Sequence, residues 1–356
     1  MRITKRLAIL FAVMLGALPA RAAEPRIGLA APLSGASALL GAQMEAGASA
    51  AVASDGKAAL VVKDTGCSAE GGADAASALV AEGVDIVTGF VCIAAVEAAM
   101  PALAAAGVPV IVTGVRVDAL TDRRDKTGWP VFRLAPRADA EAQAVARTLT
   151  RAWRSELFAI IDDGTIYGRE LAESLRVAAE LAGLEPVFID TFRPQLPNQI
   201  ALAGRLRKAG ATHVFAGGDR ADIALLGQAA AELGYDVQIA GGEALRAARD
   251  EADLVAGTLM VAPPDWADIA DPAIVAALRG AGTEPDGYVL PAYAAVEVAL
   301  AAKRAAVDTP VADVLAATRF ETALGAVRFN DIGDWAGTRY RLFRYDGQDF
   351  KQVDLE

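Results

Sequence analysis

The chain has 356 residues, 54% of them hydrophobic, and carries 45 acidic against 34 basic side chains, for a formal net charge of −11. That excess of negative charge argues against nucleic acid or an anionic membrane surface as a partner. One histidine, His213 in the apolar run "THVFAG", and two cysteines without CxxC spacing argue against a metal site and a redox pair.

The first 22 residues, "MRITKRLAILFAVMLGALPARA", have a basic start (Arg2, Lys5, Arg6), an apolar run from Leu7 to Leu18 and a small-residue end at Ala20-Arg21-Ala22. This is the layout of a secretory signal peptide with cleavage expected after Ala22. The apolar run is shorter than the ~20 residues that span a bilayer comfortably, an uncleaved anchor being the alternative. No cysteine follows to carry a lipid anchor. Removing residues 1–22 takes away four positive charges, leaving about 334 residues with a charge near −15. That is enough chain for two domains of ordinary size.

The remainder opens with a strand, "RIGLAAPL" (Arg26 to Leu33), and a turn, "SGASALLGAQ", that leads into an Ala-rich helix through Val52. Strand "AALVVKD", helix "GADAASALVAEG", strand "VDIVTGF", helix "AAVEAAMPALAAAG" and strand "VPVIVTG" follow. A second run begins after "WPVFRLAPRADA", with strands "ELFAIIDD", "EPVFIDTF", "THVFAGG", "VQIAGG" and "GTLMVAPP" separated by helical segments. "PAYAAVEVALAAKRAA" and "VADVLAATRF" read as helices, and "GAVRFNDIGDWAGTRYRLFRYDGQDF" as strands and turns. Short alternation of strand and helix is the signature of a parallel sheet wrapped by helices. The reading is α/β, with two doubly wound parallel-sheet lobes: residues 23–134 plus 265–327, and residues 135–264 plus 328–356. No Ser- or Pro-rich linker separates them. The chain is expected to cross near Arg133 to Pro136, Ala262 to Pro264 and Arg328 to Asp331. Such a three-segment connection is a hinge, suited to closure around a ligand.

Both cysteines fall in "DTGCSAEGGADAASALVAEGVDIVTGFVC". In an exported protein they read as one bridge, closing a loop of about 25 residues and worth roughly 3 kcal/mol; two buried free thiols are the alternative. No catalytic constellation emerges. Asp162 and Asp163 follow a strand and could hold Mg²⁺ or accept a phosphoryl group, or cap the next helix. "GASALLG" lacks the GK[ST] ending of a phosphate loop, and GxSxG is absent. An enzyme is not expected. Ligands of open α/β sheets sit beyond the carboxyl ends of the strands. This directs attention to loops 34–41, 90–96, 114–117, 162–167, 217–220 and 241–243.

The segments "IGLAAPLSGASALLGAQMEAGASAAV", the cysteine loop, "IIDDGTIYGRELAESL", "HVFAGGDRADIALLGQAAAELG", "AYAAVEVAL" and "GAVRFNDIGDWAG" together resemble the leucine/isoleucine/valine-binding family, the periplasmic solute-binding proteins of branched-chain amino-acid-type ABC importers. The resemblance spans nearly the whole exported chain and rests on the order of the segments, none of which is specific alone. It implies a type I periplasmic binding protein, located in the periplasm, monomeric, without cofactor or metal. It implies a small-molecule ligand between the lobes and an ABC permease of the inner membrane as partner. It also implies a Cys67–Cys92 disulfide whose second cysteine leads into a cleft loop, at a helix start suited to an anion.

The family's amino-acid-binding members carry hydroxyl residues directly after that cysteine; here Ile93, Ala94 and Ala95 stand there. Arg116 lies near the threonine expected in the next loop, with Thr113 the relevant hydroxyl if the register shifts by one or two. Tyr167 matches the family's aromatic residue, Glu243 the carboxylate that meets the ligand ammonium, and Tyr288 an aromatic wall. Asp219 stands where an aromatic is common. Arg116 could hold a ligand carboxylate, or bridge to Asp219 or Glu243 when the lobes close. The expected ligand is a small polar organic molecule carrying a carboxylate or several hydroxyls, not a standard branched-chain amino acid. The alternatives are a conventional amino-acid-binding protein and a ligand-sensing subunit of a membrane signalling receptor, since one fold serves both roles.

Overall fold

The computed structural model describes residues 24–247, 252–337 and 340–354; the expected signal peptide lies outside them. The first sheet is built from β1 (Arg26–Ala31), β2 (Ala59–Asp64), β3 (Ile86–Gly89), β4 (Val110–Val112) and β5 (Val131–Arg133). Its order is β2-β1-β3-β4-β5, and every pair is parallel. The strands read as continuous apolar runs because helices cover both faces. Alternate side chains divide between those faces. Ile27, Leu29, Ile86 and Phe132 pack with helices Ala38–Asp55 and Val289–Ala305. Ala30, Val87, Val110 and Val131 pack with helices Ala69–Ala81 and Ile93–Ala105.

The second sheet begins with β6 (Phe158–Asp162), β7 (Phe188–Thr191), β8 (His213–Gly217), β9 (Gln238–Gly241) and β10 (Leu259–Ala262). A separate hairpin, β11 (Arg319–Thr322) with β12 (Gly325–Arg328), packs on the first core through Phe320 and Val327. The chain then returns as β13 (Arg341–Tyr345) and β14 (Phe350–Val353), giving the order β14-β13-β10-β9-β8-β6-β7. Strands β6 to β10 pair in parallel, whereas β13 is antiparallel to both its neighbours. Among the described residues, no helix is long and apolar enough to cross a membrane.

Two expectations need correction. The helix expected through Phe320 stops at Ala317, because residues 319–322 pair across a tight turn with β12 and bury Phe320. The third crossing, expected near Arg328 to Asp331, lies further along. Phe329 belongs to the first core, and Trp335 packs against it. Asp334 forms a parallel bridge beside Arg133. The cause is an ion pair: Arg133, with no exposed surface, grips both oxygens of Asp334 at 2.8 and 3.0 Å. Residues 329–336 are thereby bound to the first sheet.

Cys67 and Cys92 are disulfide-bonded, with Cα atoms 5.4 Å apart. The bridge joins the turn before helix Ala69–Ala81 to the residue that caps helix Ile93–Ala105.

Candidate functional site

The carboxyl ends of the two sheets face one another, and loops after β4 and β9 meet between them. Arg116 follows β4 and Glu243 follows β9; their side chains form an ion pair at 2.5 Å across the lobes. Arg116 Nη2 also donates to the hydroxyl of Tyr340 at 3.0 Å, and that hydroxyl donates to Glu243 Oε2 at 3.3 Å. Burial works against the charge of Arg116, but Glu243 and Tyr340 more than offset it, so its pKa stands above the ordinary arginine value. Burial, then the Glu243 carboxylate, push the Tyr340 phenol up.

A cavity of about 240 Å³ opens beside this pair. Arg116, Glu243 and Tyr288 supply its polar side, and Leu134, Pro136, Pro263, Trp266 and Trp335 its apolar wall. Leu134, Pro136, Pro263 and Trp266 lie at or beside the places where the chain passes between sheets, and Trp335 joins them from the segment bound to the first sheet. The rings of Trp266 and Trp335 stack, with centroids 6.4 Å apart.

Behind Glu243 lies Glu141, only 3% exposed. Its Oε1 accepts from the Tyr167 hydroxyl at 2.7 Å and from the Glu243 backbone N–H at 2.6 Å. The Tyr167 hydroxyl in turn accepts from the Ala244 N–H at 3.3 Å. Burial raises the Glu141 carboxyl to about 7, and the Glu243 carboxylate adds to the rise. Tyr167 is pushed up by burial and by Glu141.

The structure therefore gathers Thr113, Arg116, Glu243 and Tyr288 around one cavity, with Tyr167 behind it, joined to Glu243 through Glu141. Thr113 lines the cavity, yet its hydroxyl donates to the Gly89 carbonyl at 3.3 Å. Three candidates stand apart. Asp219 is exposed at the start of helix Arg220–Glu232. Ile93 packs against the core of the first lobe, and Ala94 is exposed on the first turn of its helix. Asp162 and Asp163 serve the local backbone: they accept from the N–H groups of Gly164 and Thr165, and Asp163 also holds the Thr165 hydroxyl at 2.6 Å. Among the described residues, no group of three or more His, Cys, Asp or Glu could hold a metal ion.

Glu141, Tyr340, Trp266 and Trp335 are absent from the sequence-derived list. Glu141 opens an amphipathic helix, where an acidic residue ordinarily complements the helix dipole in solvent. Its burial comes from the second lobe's loops folding over it. The two tryptophans lie in hinge segments without periodicity, so pattern reading passes over them.

Residues 24–350 match the model of a periplasmic binding protein family. The chain belongs to that family. The binding protein is 29% identical to the Leu/Ile/Val-binding protein homolog 3 of Brucella melitensis, over 98% of each chain. Its fold is that of type I periplasmic binding proteins. An ABC transporter substrate-binding protein of Desulfitobacterium hafniense, solved in complex with Leu, superposes with a TM-score of 0.67 at 22% identity, covering 92% of this chain and 99% of that one. An ABC transporter solute-binding protein of Rhodopseudomonas palustris, solved with 3,4-dihydroxybenzoic acid, superposes with a TM-score of 0.63 at 17% identity, covering 92% and 95%. These solved neighbours are binding proteins of ABC transporters, and the chain shares their fold.

Proposed function

We propose that the binding protein is the periplasmic capture subunit of an ABC importer, handing its ligand to a permease of the inner membrane. We further propose that the ligand is a small organic monocarboxylate, held by Arg116 between the lobes. The observation that carries this reading is the Arg116 guanidinium at the polar end of a cavity whose other wall is mostly apolar, with proline, leucine and aromatic side chains. A carboxylate of the protein's own, Glu243, pairs with it. A planar guanidinium matches a carboxylate with paired N–H donors. Tyr288, Trp266 and Trp335 offer apolar faces to the rest of the ligand. Besides the Tyr288 phenol, the hydroxyl that the first lobe brings to the cavity is that of Thr113, which donates to Gly89, while Ile93 and Ala94 lie outside the lining. The Rhodopseudomonas structure with an aromatic acid supports this chemistry; the Leu/Ile/Val relative supports an amino acid instead. An amino acid would set its carboxylate on Arg116 and its ammonium on Glu243.

A thermal-shift comparison of matched pairs separates these readings. A ligand at 100 times its Kd adds about 2.7 kcal/mol of stability. Benzoate should stabilise the protein and benzamide should not; 4-methylpentanoate, which is leucine without its ammonium, should exceed leucine. A larger shift with leucine than with 4-methylpentanoate would overturn the monocarboxylate reading.

A further inference from the structure

Glu141 lies outside the cavity lining, yet it anchors the loop that carries Glu243. One of its oxygens holds the Glu243 N–H and the Tyr167 hydroxyl together, and Tyr167 holds Ala244. The intervening residue is Gly242, where a Cβ would come within 2.3 Å of that Glu141 oxygen and 2.6 Å of the Tyr167 hydroxyl. Only glycine lets the carboxyl come this close to the backbone. The loop is pinned from behind by one carboxyl while presenting another to Arg116 in front.

The charge count of this assembly is unusual. Among the described residues, the charged groups that bear most on Glu141 are the Arg116 guanidinium and the Glu243 carboxylate, with the phenols of Tyr167 and Tyr340 beside them. A bound monocarboxylate brings a third negative charge to the same single cation. Whether it displaces Glu243 or shares Arg116 with it, the second lobe is left with less positive charge to hold two carboxylates close together. Like charges in one buried site cannot all stay ionised, and one takes a proton.

We propose that Glu141 is the positioning residue of the second lobe's half of the site, and that the protein takes up one proton there, from solvent onto a Glu141 carboxyl oxygen, when its monocarboxylate ligand binds. Of the two carboxyls, Glu141 is the one away from Arg116 and the more buried. Its pKa, raised by burial to about 7, brings the uptake within reach of neutral pH. The proposal rests on the monocarboxylate reading, and the experiment keeps the two apart.

Isothermal titration with benzoate as probe, from pH 6 to 8.5 in buffers of differing ionisation heat, counts the protons. For the wild type, uptake should be small at pH 6 and approach one at pH 8.5. The Kd should weaken toward tenfold per pH unit above about pH 7, as linkage requires. Glu141→Gln is permanently neutral and can still accept both hydrogen bonds. It should show no uptake, a flat profile, and binding at pH 8.5 tighter than the wild type. A wild-type Kd independent of pH would overturn the proposal, as would a Gln variant that is weaker at every pH with the slope retained. If benzoate fails to bind the wild type, the ligand reading fails instead. Glu141 is then judged on unliganded protein: the Tm of the wild type relative to Glu141→Gln must fall as pH rises from 5 to 8, and a constant difference overturns its role.

Discussion

Replacing Arg133 by methionine would test whether the hinge and the ligand loop are one unit. The Arg133 side chain is fully buried and commits all five of its N–H donors. Two go to the oxygens of Asp334, at 2.8 and 3.0 Å, one to the Thr121 hydroxyl, and two to the backbone carbonyls of Arg116 and Val117, at 3.0 and 2.7 Å. Methionine fills similar volume but donates nothing. It leaves Asp334 buried with Arg137, 2.8 Å away, as its remaining ion-pair partner among the described residues, and it strips two carbonyls and a hydroxyl of a donor. Breaking a buried ion pair from one side costs about 3–5 kcal/mol; the retained Arg137 contact places this case near the lower figure. A loss of about 3 kcal/mol lowers Tm by roughly 6–12 °C for a unit of 150–250 residues. Thermal and urea unfolding followed by circular dichroism would measure it. Arg133→Met combined with Asp334→Asn should cost less than the sum of the two single changes, because the pair is removed as a pair. Because the Arg116 carbonyl is one of the groups released, benzoate affinity should fall as well. A single variant within 1 kcal/mol of the wild type would refute the assignment of Arg133 as the anchor of both hinge and loop.

Three further outcomes are expected. Unfolded, unreduced protein should present no free thiol, and the Cys67→Ser/Cys92→Ser variant should lose about 3 kcal/mol of stability, since the bridge closes a 25-residue separation. Burial raises Glu297 as well as Glu141 to about 7 from an ordinary 4.5, so both favour the folded state when protonated. The stability they contribute is complete below pH 4.5 and is lost as pH rises through 7, on the order of 3 kcal/mol for each. Melting the unliganded protein from pH 5 to 8 should show this decline, with Glu297→Gln and Glu141→Gln each flattening it. Glu243→Gln frees Arg116 from its protein counter-ion and should tighten benzoate by tenfold or more; weaker binding would mean that Glu243 serves a ligand ammonium.

The two-sheet plan was legible because alternating apolar strands and Ala-rich helices carry their periodicity openly, from Arg26 through Ala262. The pairing of Cys67 with Cys92 was legible from the export signal and the lone pair of cysteines, and again through resemblance to known binding proteins; the meeting of Arg116 with Glu243 stood only as one alternative, beside a bridge to Asp219 and a ligand contact. What escaped were residues whose roles depend on long-range closure. Arg133 and Asp334 are 201 positions apart, and Glu141 and Glu243 are 102 apart, so nothing local marks either pair. Asp219 was drawn into the expected site by its place after β8, where helix Arg220–Glu232 instead carries it to the surface. Ile93 and Ala94 follow the disulfide in sequence, but the helix turns them away from the cavity that Arg116 and Tyr288 line.

The central claim is that Arg116 receives a ligand carboxylate, and titration calorimetry of benzoate into the wild type and Arg116→Gln at pH 6 tests it most directly. Losing hydrogen bonds to a charged group costs about 1.5–3 kcal/mol, so the variant should bind roughly 10- to 150-fold more weakly. Its unliganded Tm should change far less than that of Arg133→Met, because Arg116 is half-exposed and its role is toward the ligand. A benzoate Kd unchanged by Arg116→Gln would contradict the account.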